Sequence, residues 1–274
     1  MSTHRSEPLP QANRGVAVVT GASRGIGAVI AAELAAGGFH VAAVARTAEP
    51  SPRVDGSLAE TVAAIRSSGG QADAVVADLS DPDQREGLID RIEEFVGPVE
   101  VLVNNAAVAF YVPLADLTRR QLGLLLELNV SAPVDLLGQA ARLMRARGRG
   151  WMVNVSSVTA TVPEGAVPYS LPLTAYGMTK AALDRLTTGA ALELSEHGIR
   201  VNSLSPVAGV ATPGAVARGV IDPNSPDAES PELMAKATLL LSTCEPSRTG
   251  GIHFTRPLLE RWDDVAGPDV APLG

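Results

Sequence analysis

From residue 15 onward, short runs rich in valine and alanine alternate with longer stretches whose apolar residues return every three or four positions. Six short runs, 15–20, 40–45, 72–78, 99–104, 151–157 and 200–205, are too continuously apolar to have one wet face, which is the pattern of strands covered on both sides. Between them, 28–36, 58–67, 82–95, 121–145 and 175–197 carry the helical period and are dominated by alanine and leucine. Strands alternating with helices predict an α/β fold, a doubly wound parallel sheet of the Rossmann kind. Three stretches interrupt the rhythm with proline and are expected to be loops: 47–57, 158–173 and 207–230, the last having enough glycine to act as a lid.

Composition narrows the picture to one core. Of the 274 residues, 46% are hydrophobic and 19% charged, and no internal repeat is present, so a single domain over 15–253 is expected. It is flanked by a flexible tail, 1–14, and a C-terminal extension, 254–274. A net charge of −8 disfavours nucleic acid and anionic lipid, both of which select clustered Lys and Arg, and leaves small molecules as the expected partners. The single cysteine, Cys244, cannot form an internal disulfide; the polar start lacks a signal peptide's apolar core, and no apolar run approaches the ~20 residues of a membrane span. A cytoplasmic protein is expected.

Two pieces of sequence carry chemistry. The first is Thr20-Gly21-Ala22-Ser23-Arg24-Gly25-Ile26-Gly27, placed between the first strand and the first helix. Glycines let the backbone approach a pyrophosphate, and the following helix offers amide hydrogens and the positive end of its dipole. A turn of this composition also serves simply to join strand to helix. The second is Tyr176 and Lys180, four apart on one helix and therefore on one face. A neighbouring ammonium favours the phenolate, bringing a tyrosine, ordinarily near ~10, toward use as a base. Asn154-Val155-Ser156-Ser157 ends the fifth strand, at the carboxyl edge where open α/β sheets bind ligands.

Thr-Gly-x-x-x-Gly-x-Gly with Tyr-x-x-x-Lys resembles the single-domain short-chain dehydrogenases, over roughly residues 15–250. The resemblance implies an oxidoreductase exchanging hydride between a nicotinamide and a carbonyl or secondary alcohol. Its catalytic set maps onto Asn129, Ser157, Tyr176 and Lys180, with Lys180 also holding the nicotinamide ribose. Ser157 is taken as the hydroxyl that steadies the developing alkoxide, with Ser156 pointing aside or, alternatively, serving in its place. The cofactor would lie along Gly21, Ser23, Arg24, Gly25, Ile26 and Gly27. Beyond that turn it would meet Asp78 and Leu79 at the adenine, Asn105, Ala106 and Ala107 after the fourth strand, and Pro206, Val207 and Thr212 after the sixth. At the end of the second strand no acidic residue accepts ribose hydroxyls; Arg46, beside Thr47, and Arg24 can instead grip a 2′-phosphate, so NADP(H) is expected over NAD(H).

The sequence departs from the family's pattern on the substrate side. The Ser157 to Tyr176 spacing exceeds the usual one, and the extra residues, with Val162, Pro163, Pro168, Tyr169 and Leu171, suggest an apolar rim. Phe110, Tyr111, Tyr169 and Leu171 are the expected pocket lining, Ser157 and Tyr176 its reacting floor. The insertion near Pro50 also resembles that of family members acting on terpenoid or lipid-like aldehydes and alcohols. Val207 replaces a usual glycine, Thr212 falls one residue late, and Ala107 stands where glycine is customary. A homodimer through the helices beginning near Gln121 and Ala175, or a homotetramer, is expected. Rival functions are a catalytically silent nucleotide sensor or scaffold and an enoyl reductase; the intact four residues oppose the first, and a tyrosine-to-lysine spacing of only four opposes the second. His4, His40, His197 and His253 are too scattered for a metal site, and no Gly-x-Ser-x-Gly elbow is present.

Overall fold

The computed structural model describes residues 14–50, 55–161, 171–217, 219–222, 224–225 and 228–262. The chain runs β1 (Val16–Thr20), α1 (Gly25–Ala36), β2 (His40–Ala45), α2 (Leu58–Ser67), β3 (Gln71–Val76), α3 (Pro82–Arg85), α4 (Leu88–Phe95) and β4 (Val99–Asn104). It continues through α5 (Arg119–Leu126), a π turn (Glu127–Ser131), α6 (Ala132–Arg147), β5 (Gly150–Val155), α7 (Thr174–Leu194) and β6 (Ile199–Ser205). Last come α8 (Pro213–Ala217), α9 (Pro231–Leu241), β7 (Ile252–Phe254) and α10 (Thr255–Glu260).

All pairings are parallel, in the order β3-β2-β1-β4-β5-β6-β7. The order reverses direction between β1 and β4, and the crevice above that point is where this architecture places a ligand. One face of the sheet buries Ile30, Leu34, Leu58, Met234 and Leu241 from α1, α2 and α9; the other buries Ile89, Ile92, Leu136 and Met144 from α4 and α6. Covered on both sides, β1, β2, β4, β5 and β6 are almost wholly buried, as the continuous apolar runs require.

The edge strand differs. β3 is largely exposed or half-buried, Ala72 alone being buried, and it stops at Val76 instead of reaching Asp78, so Asp78 sits in the loop beyond the strand end. The expected helix 82–95 is two pieces, broken at Gly87, whose φ of 63° reverses the chain. The break turns Arg85 inward, where it is 3% exposed and bonded to Glu127, Asp135 and the Leu79 carbonyl. The expected helix 121–145 starts earlier, at a capping box formed by Thr118 and Gln121, and widens into the π turn. Pro133 has no amide hydrogen for the carbonyl of Asn129 four residues before, which accounts for the widening there.

Four elements were not anticipated: α8, α9, β7 and α10. α9 packs on α1, and β7 adds a seventh strand through Ser203 to Ser205. β7 spans residue 254, where the sequence placed the start of an extension, and α10 packs on α9, so the described part of that segment belongs to the same core. The 207–230 stretch is also tied down: Val210 pairs with Glu229, whose buried Oε1 accepts from the Val207 amide. Among the described residues no helix is long and apolar enough to cross a membrane.

Candidate active site

At the switch point, Thr20 closes β1 onto β4. Its hydroxyl donates to the Val103 carbonyl and accepts from the amides of Asn105 and Ala106, while Asn105 Nδ2 donates to the Thr20 carbonyl at 2.8 Å. The glycine turn is pressed into this frame. A Cβ on Gly27 would lie 2.5 Å from Asn105 Nδ2 and closer still to the Gly21 carbonyl; one on Gly21, at φ +68°, would meet Ala106 at 2.9 Å. α1 then begins at Gly25, and among the described residues no side chain caps it and no acid lies in its first turn. Its first amide hydrogens and dipole therefore face the crevice unneutralised, which is the arrangement that suits a pyrophosphate. Ser23 is buried, and Arg24 and Ile26 are partly exposed at the crevice edge.

Beside this cradle, Arg24 donates to Thr47 Oγ1 at 2.8 Å, and Arg46 lies 3.7 Å from Asp78 with 71% of its side chain exposed. Two guanidinium groups and a hydroxyl thus gather at the end of β2, as expected for a 2′-phosphate. Asp78 Oδ1 accepts from the amide and hydroxyl of Ser80. Partial burial pushes that carboxyl's pKa up, but the Ser80 bonds and Arg46 outweigh it, so the group lies below its ordinary value and stays ionised. Leu79 is buried, and its carbonyl is taken by Arg85. Ala107 is exposed on the loop after β4, with Asn105 and Ala106 partly buried beneath it.

The four expected catalytic residues come from three places, the π turn, the residues just past β5, and α7, which carries both Tyr176 and Lys180. Asn129, 1% exposed in the π turn, is locked through its side chain: Oδ1 accepts from the Val108 amide, and Nδ2 donates to the Val108 carbonyl and to Thr179 Oγ1. Thr179 donates in turn to the Tyr176 carbonyl, which couples the π turn to α7. Ser157, just past β5, accepts from Thr159 Oγ1 at 2.9 Å and from the Thr159 amide, and its hydroxyl favours the charged form of the neighbouring Tyr176. With both lone pairs directed at Thr159, its proton is turned toward the crevice. Gly177 permits this packing, because a Cβ there would lie 2.5 Å from the Thr159 carbonyl.

Tyr176 faces the crevice, half-buried. Desolvation raises its pKa to about 12, with Tyr111 pushing the same way and the Ser157 bond opposing. Lys180 is 2% exposed; it donates to the Val155 carbonyl at 2.7 Å and lies 5.7 Å from the Tyr176 ring centre. Burial lowers its pKa to about 8, against the pull of Asp184. The expected lowering of the tyrosine by the lysine is therefore not what the structure shows: burial raises the tyrosine instead. Ser156 points away from the crevice, 4% exposed and directed at α7.

Phe110 and Leu171 are partly buried on the substrate side, and Tyr111 is 40% exposed. Tyr169 lies outside the described residues, as does the rest of 162–170. Pro206 and Val207 follow β6, the Val207 amide engaged by Glu229. Thr212 lies over the glycine turn: its hydroxyl accepts from the Ala215 amide, and its methyl group would lie 3.5 Å from a Cβ on Gly25. Sequence reasoning passed over Thr20, Thr159, Asp184 and Glu229; only Thr20 had a local signal, standing inside the glycine motif. Among the described residues no cluster of His, Cys, Asp and Glu could hold a metal.

A family model described as short chain dehydrogenase matches residues 15–218. Gluconate 5-dehydrogenase from Gluconobacter oxydans is 39% identical over 191 residues, 69% of each chain. L-rhamnose 1-dehydrogenase (NAD(P)(+)) from Azotobacter vinelandii is 34% identical over 255 residues, 92% of this chain and 87% of the relative. The crystal structure of a 3-oxoacyl (acyl-carrier-protein) reductase from Agrobacterium tumefaciens, with NADP bound, superposes with a TM-score of 0.77 at 33% identity, covering 88% of this chain and 93% of that one.

Proposed function

Because the chain belongs to the short-chain dehydrogenase family, we propose that it exchanges hydride between NADP(H) and a secondary alcohol or ketone, with Tyr176 as general acid and base. The observation that carries this reading is the convergence of the Ser157 and Tyr176 hydroxyls at the carboxyl end of β5, with Lys180 one helical turn behind the tyrosine. Ser157, held by Thr159, directs its proton at the substrate oxygen and steadies charge as the carbonyl becomes an alkoxide. Tyr176 delivers a proton to that oxygen in reduction and removes it in oxidation. A nicotinamide held there would supply or accept the hydride. Lys180 spends one of its three donors on Val155 and keeps two for ribose hydroxyls. Arg46, Arg24 and Thr47 favour the phosphorylated cofactor.

The chain's own rim of Phe110, Tyr111 and Leu171 favours a substrate with an apolar substituent. A second reading, a hydroxyl-rich acid or sugar, is favoured by the relatives named for gluconate and L-rhamnose; rates on matched series of alkyl ketones and keto-sugars separate the two. A homodimer fits the outer face of α6 and α7, which holds a groove of about 720 Å³ lined by Leu137, Ala141, Ala190 and Leu194, next to the exposed Leu192.

Tyr176→Phe keeps the ring and removes the proton. Turnover, followed by nicotinamide absorbance, should fall by roughly 10²–10⁴-fold, while NADPH binding, followed by fluorescence, is retained. Wild-type turnover in that variant would refute the assignment.

A further inference from the structure

One charged group of α7 has no part in the chemistry described so far. Asp184 lies one helical turn beyond Lys180, on the same face as Tyr176 and Lys180. Its Oδ1 accepts from Ser203 Oγ of β6 at 2.6 Å, and the Ser156 hydroxyl beyond β5, which donates to the Lys180 carbonyl at 3.4 Å, also favours the charged carboxylate. Ser156 and Ser203 are both buried, Ser203 at 0% exposure, so neither hydroxyl is on the surface. The carboxylate is therefore held from β6 as well as by its own helix.

The groups packed round the Lys180 ammonium can be named element by element. α7 supplies Tyr176 and Asp184; β5 supplies the Val155 carbonyl, with Ser156 beyond it; β6 supplies Ser203; and the π turn reaches α7 only through the neutral Asn129–Thr179 bond. Among the described residues Asp184 is the one negative charge acting on that ammonium.

We propose that Asp184, held by Ser203 one helical turn beyond Lys180, is a positioning residue that keeps the buried Lys180 protonated in its place behind Tyr176. Burial drives both groups toward their neutral forms and on balance raises the Asp184 pKa; the Ser203 bond and the lysine itself oppose that rise, and the carboxylate in turn opposes loss of the ammonium's proton. The charge needed beside Tyr176 is thus supported from the far side of the lysine, leaving the crevice side free for cofactor and substrate. Ser156, the rival of Ser157 in the sequence, gains a separate part: it serves the lysine's counter-charge.

This inference rests on the proposed roles of Tyr176 and Lys180, and its test separates the two. The measurement is kcat/KM against pH for alcohol oxidation with NADP⁺, in the wild type, Asp184→Asn, Asp184→Glu and Tyr176→Phe. Oxidation needs the phenolate, which sets the rising limb, and the ammonium, which sets the falling one. Losing a neighbouring negative charge favours the neutral amine, so in Asp184→Asn the falling limb should move to lower pH by about one unit, a loss of roughly tenfold in rate above it. Asp184→Glu, which restores the charge, should return the limb toward the wild-type position. If Asp184→Asn does not fold, Asp184→Ser, smaller and able to bond Ser203, carries the same expectation. A folded neutral variant whose rate falls equally at every pH, or whose falling limb stays in place, overturns the proposal. Should Tyr176→Phe keep full turnover, the reading of the site fails instead, whatever Asp184 does.

Discussion

Replacing Arg46 by alanine tests the cofactor assignment with little disturbance to the fold. The side chain is 71% exposed, and its ion pair with Asp78 spans 3.7 Å across a partly exposed surface. Such pairs contribute about 0–1 kcal/mol, so the thermal midpoint should hardly move. A guanidinium bonded to a 2′-phosphate contributes far more: charge-assisted hydrogen bonds lie at about 1.5–3 kcal/mol, which converts to a roughly ten- to 150-fold rise in the Michaelis constant for NADPH. NADH has no such phosphate, and its constant should change less than about twofold. Arg24 stays anchored on Thr47, so a remnant of the NADPH preference should survive and should shrink as salt is raised. Initial rates with both cofactors at two ionic strengths give all four numbers. Equal factors for NADPH and NADH, or none for either, would show that Arg46 is a solvated surface group and remove the basis for NADP(H).

Gly27→Ala should weaken cofactor binding at least ~10-fold and destabilise the chain by ~2–4 kcal/mol, because the new methyl group collides with Asn105 Nδ2 and the Gly21 carbonyl and displaces the Asn105–Thr20 bond; titration of NADPH fluorescence beside thermal unfolding measures both, and unchanged binding would contradict the tight cradle. Asn129→Ala strips three hydrogen bonds and leaves both polar groups of Val108 without this partner, a loss of about 2–4 kcal/mol. Its melting temperature should drop by on the order of 5 °C or more together with kcat; a variant as stable as the wild type would mean that the π turn is held by something else.

What the sequence disclosed, and what it did not, follows from where each element gets its stability. β1, β2, β4, β5 and β6 are covered on both faces, and continuous apolar runs announce them. β3 has one free edge, and its half-wet pattern hides where it stops, which is why Asp78 was placed on it. β7 is three residues long and is held by β6, with nothing local to mark it. α9 did carry a start signal, Ser230 followed by Pro231. The break at Gly87 needed knowledge of the partners of buried Arg85, Glu127 and Asp135, some 40 to 50 residues away in sequence. The candidate site was legible because its groups stand at the ends of legible elements: the glycine turn after β1, Ser157 after β5, Tyr176 at the start of α7. Thr159, Asp184 and Glu229 were not, since each matters through a contact that only the assembled sheet creates.

The two halves of the crevice are consequently built in different ways. On the cofactor side the essential groups are backbone: uncapped amides at α1 and glycines packed too closely for any side chain, all braced by Thr20 and Asn105 against β4. Backbone geometry of that kind tolerates little variation. The substrate side is made of side chains on connections: Phe110 and Tyr111 after β4, Leu171 before α7, and Val207 to Thr212 after β6. Even there one buried carboxylate, Glu229, fixes the loop by accepting from Val207 and pairing with Arg256 at 3.5 Å. The loop after β6 is therefore anchored at its base, and the freedom to accept a new substrate is concentrated in the side chains that line the rim. Arg46 and Asp184 stand on opposite sides of that division: one selects the cofactor from the surface, the other supports the lysine from beneath. Their substitutions should accordingly add without interaction, since each acts on a different ligand contact.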